Sequence, residues 1–245
     1  MGQPLSYTAR VSTDPNAELA SGTSSSVAHG DLETEYRLRF QQLAPYRDRV
    51  WKVLTRGFFQ AYVPPDGAVL DLGCGWGEFI NNIDARVKYG MDLNPESERR
   101  LAANVEFLKQ DCSTPWRLPD STLDVVFTSN FFEHLPSKEA LRATLIEARR
   151  CLKPGGTLIC LGPNIKYLPG AYWDFWDHHI PLTELSLGEL LELLGFRTAT
   201  RRARFLPYSM SQGFAPPTAF LSLYLRLPFL WRFFGKQFLL IATKP

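Results

Sequence analysis

Short apolar runs alternate with longer amphipathic stretches along most of this chain. The runs at 68–72, 87–91, 105–109, 123–128 and 156–161 have the length and composition of buried strands. Leu123-Asp124-Val125-Val126-Phe127 is β-branched and aromatic enough for a central strand. Ahead of them, 31–60 reads as helical. Tyr36, Phe40 and Leu43 share one face, Val50, Trp51, Leu54 and Phe58 another, and Pro45 separates the two. Pro64-Pro65-Asp66-Gly67 is a turn. Ser137 to Leu152 predicts a helix with Ser137 as N-cap and Ala140 in its first turns, closed by Lys153-Pro154-Gly155-Gly156. A second capped helix covers 186–195 and stops at Gly195. Strands follow at 196–205 and 237–243. Strand and helix signals in alternation imply an α/β fold with a parallel, doubly wound sheet.

The stretch 206–236 interrupts that rhythm with an apolar, proline-punctuated insertion. Phe220, Leu221, Leu223, Leu225 and Leu227 predict a short helix that Pro228 breaks. Trp231, Phe233 and Phe234 follow, with Arg226, Arg232 and Lys236 as the charges. Two readings of 214–236 stand open. It is a helical cap over a pocket or the N-terminal helix, or an interfacial patch for a membrane or lipid-linked substrate. Residues 1–30, rich in Ser, Thr, Ala and Gly, read as a disordered arm without a secretory signal. The remainder, 31–245, reads as a single domain, with N-terminal helices over 31–62.

Composition narrows the partners. A net charge of +2 is too mild for nucleic acid as the main partner. No run of apolar residues is long enough to span a bilayer. Cys74, Cys112, Cys151 and Cys160 lack metal-ligand spacing and read as reduced, buried thiols of a cytoplasmic protein. No metal is expected, and nothing indicates an oligomeric state.

The chemistry concentrates after the first strand, in Asp71-Leu72-Gly73-Cys74-Gly75-Trp76-Gly77. Three alternate glycines allow positive φ and close approach of backbone N–H groups to a ligand. Asp92, about twenty residues beyond Asp71, ends the second strand, where a carboxylate can accept from a ribose diol. A dinucleotide fingerprint would need glycine where Glu78 stands, and no P-loop pattern occurs.

The Asp-x-Gly-x-Gly-x-Gly pattern resembles the first motif of the class I S-adenosylmethionine (SAM) dependent methyltransferases. Further segments resemble that family in order. Leu108 to Cys112 looks like the part whose acid, here Asp111, meets the adenine amino group. Phe127 to Leu135 looks like the part beside the sulfonium. Leu152 to Leu158 looks like the entry to the fifth strand, and 179–196 like the region carrying substrate-facing residues. The resemblance covers about 45–205 and the last strand. It implies a Rossmann-like, mostly parallel seven-stranded sheet and SAM as cofactor, held by Asp71, Gly73, Gly75, Gly77, Asp92, Leu93, Asp111, Cys112 and Asn130. Asp71 has turn support as its alternative role and Asp111 the capping of Ser113-Thr114-Pro115. His134 reads as structural.

The most similar group is the bacterial small-molecule methyltransferases that modify sugars, quinones and natural products. Asn130-Phe131-Phe132-Glu133 departs from the Asn/Asp-Pro-Pro-aromatic signature of many amino-methylating members, which points away from nucleobase or glutamine nitrogens. Residues 167–179 are dense in aromatics, with Tyr172, Trp173 and Trp176 as candidates for a substrate wall. His179 and His178 are the candidate bases, with Asp174 or Asp177 to orient a ring nitrogen. The expected reaction is methyl transfer to a hydroxyl of a small sugar, lipid-linked or natural-product acceptor. C- or N-methylation, a non-catalytic SAM-binding scaffold and a macromolecule methyltransferase are the alternatives.

Overall fold

The computed structural model describes residues 44–208 and 216–245. The expected arm at 1–30, the first predicted helical face with Tyr36, Phe40 and Leu43, and Phe214 lie outside the described residues. In chain order the elements are α1 (Ala44–Gly57), β1 (Ala68–Leu72), β2 (Val87–Asp92), α2 (Pro95–Arg100), β3 (Val105–Lys109) and β4 (Leu123–Ser129). Then come α3 (Lys138–Cys151), β5 (Leu152–Pro163), α4 (Glu184–Leu193), β6 (Arg197–Arg202), α5 (Thr218–Arg226), α6 (Pro228–Phe234) and β7 (Gln237–Thr243). Short 3-10 turns fill Phe59–Tyr62, Phe132–His134 and Ala171–Asp174. No described helix is long and apolar enough to cross a membrane.

The strands form one seven-stranded sheet in the order β3-β2-β1-β4-β5-β7-β6. All pairings are parallel except those of β7, which runs antiparallel to β5 and β6. Alternation along each strand divides the core into two layers. Leu70, Leu72, Val126, Leu158 and Leu240 face α3 and α4, against Leu141, Leu145, Leu187 and Leu191. Val69, Phe127, Ile159 and Leu239 face α1, α5 and α6, against Trp51, Leu54, Phe205, Leu225 and Trp231. On that second side Phe127 stacks on Phe79 at 3.7 Å and meets Trp51 edge-on at 6.0 Å.

Several elements differ from the sequence expectation. Pro45 sits in the first turn of α1, where a missing N–H costs nothing, and the face expected before it lies outside the described residues. Between β1 and β2 the chain makes only turns, closed by Asn81 N–H to Gly77 O and Ile83 N–H to Phe79 O. The cap of α4 is Thr183, so the helix opens earlier than Ser186. Strand β5 begins at Leu152 and absorbs the Pro-Gly-Gly segment expected to be only a stop. Strand β6 is shorter than 196–205 at both ends.

Candidate active site

The parallel strands end on one edge of the sheet, and the connections leave β1 and β4 toward opposite sides. That edge is the ligand crevice expected of doubly wound sheets. Gly73, Gly75 and Gly77 follow β1 with φ of 70°, 51° and 76°. Gly73 and Cys74 donate their amides to Met91 O, which locks the turn to β2. A Cβ on Gly73 would lie 2.2 Å from the Phe131 ring, so only glycine fits beneath that ring.

Asp92 ends β2 and spans the turn. Its Oδ2 accepts from Gly75 N and its Oδ1 from Asn94 N, each at 2.8 Å. Burial raises its pKa; the Asn94 and Gly75 amides and His134 oppose the rise. Each carboxylate oxygen keeps acceptor capacity for a hydroxyl. Leu93, 41 % exposed, stands beside it. Asp71 is buried, and its carboxyl is pushed well above the usual range by burial first and by Glu78 second, while the Ile80 amide counters.

Asn130 sits in the left-handed region at φ 48°, at the end of β4. Its amide donates to Leu161 O at 2.9 Å, its Nδ2 donates to Ser129 Oγ at 3.1 Å, and its buried Oδ1 has no hydrogen-bond partner. A buried acceptor without a donor is costly unless a ligand supplies one. The glycine turn, the carboxylate of Asp92 and this acceptor together fit a nucleoside that carries an ammonium group, as SAM does. Asp111 is exposed, and its Oδ1 accepts from the amide and hydroxyl of Ser113 at 2.8 and 2.7 Å. The capping role is therefore in place. The Cys112 thiol lies in the core 3.3 Å from Thr144 Oγ1, so its main chain is what it can present.

A second group of side chains gathers beside Asp92. Glu133 is buried, and its Oε1 accepts from Tyr172 Oη at 2.6 Å. Burial raises the Glu133 pKa against the pull of His134 and of that hydrogen bond. Burial and Glu133 push the Tyr172 hydroxyl far up. His178 Nδ1 lies 2.6 Å from Tyr172 O, a carbonyl that can only accept, so a proton sits on Nδ1. His134 Nδ1 lies 2.8 Å from Asp177 Oδ2, and the carboxylate accepts the Nδ1 proton. The two imidazoles meet edge-on at 4.8 Å. One ligand-capable atom each of His134, Asp177 and His178 falls within 4.8 Å of the others, the spacing a divalent ion would also use.

The expected site residues thus divide. His178 and Tyr172 are in this group. The His179 side chain is exposed, and its amide holds the loop through Glu133 O at 2.7 Å. Trp173 is anchored to its own loop by Nε1 to Leu168 O at 2.8 Å, and Trp176 is 90 % exposed. Asp177 holds a ring nitrogen of His134, a residue the sequence reading did not offer as a base. Sequence reasoning gave Glu133 no role and read His134 as structural, and the structure gathers both beside Tyr172 and Asp177. The signal was their place directly after β4, in the segment the resemblance set beside the sulfonium.

A family model described as a methyltransferase domain matches residues 70–160. Phosphoethanolamine N-methyltransferase 1 of Arabidopsis thaliana is 29% identical over 153 residues, covering 54% of this chain and 29% of that protein. Demethylmenaquinone methyltransferase of Symbiobacterium thermophilum is 24% identical over 204 residues, 73% of this chain and 76% of that one. The crystal structure of a SAM dependent methyltransferase from Archaeoglobus fulgidus shares the fold, with a TM-score of 0.59 and 23% identity over 81% of this chain and 94% of the other.

Proposed function

Since this chain belongs to the class I SAM-dependent methyltransferases, we propose that it methylates a small molecule bearing an ionisable hydroxyl. The observation that carries this reading is the His134–Asp177 pair with His178 beside it. SAM supplies an electrophilic methyl group on a sulfonium. The protein must align the acceptor and take its proton, and alignment alone can lower the barrier by several kcal/mol. His134 and His178 each hold Nδ1–H against an acceptor, and an imidazole in that tautomer acts as a base through Nε2. Asp177 stabilises the imidazolium of His134 once the proton has moved. Glu133 and Tyr172 hold the loop that carries His178. His179, exposed, is the less favoured base.

Removing a hydroxyl proton serves two outcomes. A sugar or alcohol oxygen would itself attack the methyl group. A phenolate or quinol would pass its charge to a ring carbon, which then attacks and loses its own proton. The relative named for demethylmenaquinone supports the second outcome, and the plant relative named for phosphoethanolamine supports an amine instead. Incubation with labelled SAM and a panel of quinols, alcohols and amines tests the reading. His134→Asn should lower kcat by about 10²–10⁴-fold while S-adenosylhomocysteine binding stays near the parent value. Unchanged turnover of an active acceptor in that variant would overturn the role of the pair. Labelling confined to amines would overturn the acceptor class.

A further inference from the structure

Helices α5 and α6 form a hairpin with two unlike faces. Inward, Leu225 and Trp231 are buried, and Trp231 meets Phe58 and Phe205 edge-on at 6.0 and 4.8 Å. Its indole N–H donates to Tyr224 O at 2.9 Å, so Trp231 belongs to the core and not to any outer patch. This face caps α1, as one of the two sequence readings expected. Outward, Phe220, Leu223, Phe229, Phe233 and Phe234 are between 54% and 67% exposed. Phe229, Arg232 and Phe233 are three and four apart and share one stripe of α6. Exposing so many large aromatics together is unusual for a surface that meets only water.

Charge selects what covers them. No Asp or Glu occurs after Glu192, whereas Arg226, Arg232 and Lys236 lie on or directly after the two helices. A two-fold contact between copies would set these cations against each other without a countercharge. A neutral apolar partner would leave them unanswered. We propose that the outer face of α5–α6 docks on an anionic lipid bilayer, with its phenylalanines in the headgroup region and its cations on lipid phosphates. The end of α6 leads to the edge of the sheet where β5 ends, since Pro163 pairs with Gln237. Asn164 donates its amide to Lys236 O at 3.1 Å, and Tyr208 packs on Tyr172 at 4.9 Å. Docking rests on the proposed function only in bringing this edge of the sheet to the membrane, whatever the acceptor atom, and its test does not use turnover.

The full chain is sedimented with vesicles of mixed phosphatidylglycerol and phosphatidylcholine, or of phosphatidylcholine alone. Binding is expected on the anionic vesicles at low salt, falling at high salt. Phe229→Ser with Phe233→Ser should weaken it about tenfold or more. Both side chains are exposed, so the thermal midpoint and S-adenosylhomocysteine binding should stay at the parent values, which confirms folding. Arg226→Glu with Arg232→Glu should abolish the preference for anionic lipid. Absence of binding at low salt, equal binding by the serine variant, or a dimer that the serine variant dissociates would each overturn the proposal.

Discussion

Asp71 and Asp92 were both legible in the sequence by position, but their environments were not. Sequence spacing places a residue on a strand end; it does not say which groups surround it. Asp71 turns into the protein and takes the Ile80 amide, so burial raises its pKa well above the usual range. The sign of the consequence is fixed. With a raised native pKa, the native state holds more protons than the unfolded chain. Stability then falls as pH rises from the ordinary aspartate range through the raised value. Asp71→Asn keeps an acceptor for Ile80 and removes the titration. Thermal midpoints across pH should show the parent losing ground to the asparagine variant on going up in pH. Parallel curves would refute the buried, raised carboxyl. Glu133 and His134 illustrate the opposite limit. Their partners Tyr172 and Asp177 lie tens of residues away in sequence, so local pattern could not reveal the pairs.

At the level of elements, the runs at 68–72, 105–109 and 237–243 match the observed strands because their apolar residues are bounded by turn-forming ones. Boundaries failed where two signals compete. Lys153-Pro154-Gly155-Gly156 carries helix-stop chemistry, yet it bulges within β5 while Leu152 still pairs with Leu123 and Thr157 with Val125. The bulge is held by tertiary partners: Lys153 reaches Asp124 at 2.8 Å, and the Gly155 amide donates to Lys244 O at 2.7 Å. At α4, Thr183 and Ser186 are both N-cap residue types, and the structure uses both. Thr183 Oγ1 accepts from Leu185 N and Ser186 N at 3.2 and 3.1 Å, and Ser186 Oγ accepts from Thr183 N at 3.0 Å. Because Leu187 and Leu191 pack into the core, unwinding this turn disturbs the whole domain. Thr183→Ala should cost about 0.5–2 kcal/mol in denaturant unfolding, with Thr183→Ser closer to the parent. A cost equal for both substitutions would mean the hydroxyl does no capping.

Across the whole molecule, the candidate site is assembled from both halves of the sheet. Asp92 comes from β2, Asn130 from the end of β4, and His178 from the connection after β5. A ligand that touches these groups at once binds only the folded arrangement, so it must stabilise the fold as a whole. Linkage sets the size: about 2.7 kcal/mol when the ligand is at a hundred times its Kd. SAM and S-adenosylhomocysteine should therefore raise the thermal midpoint, and NAD should leave it unmoved, since Glu78 stands where a dinucleotide turn needs glycine. Asp92→Ala removes the expected ribose acceptor, and it also strips Gly75 N and Asn94 N of their partner. Two effects should then appear in one experiment. Without ligand the variant should melt lower than the parent. With ligand its further shift should be smaller by the loss of about 1–3 kcal/mol of binding. A lower melting point with an unchanged ligand-induced shift would show that Asp92 only braces the glycine turn, and that the ribose is held by other groups.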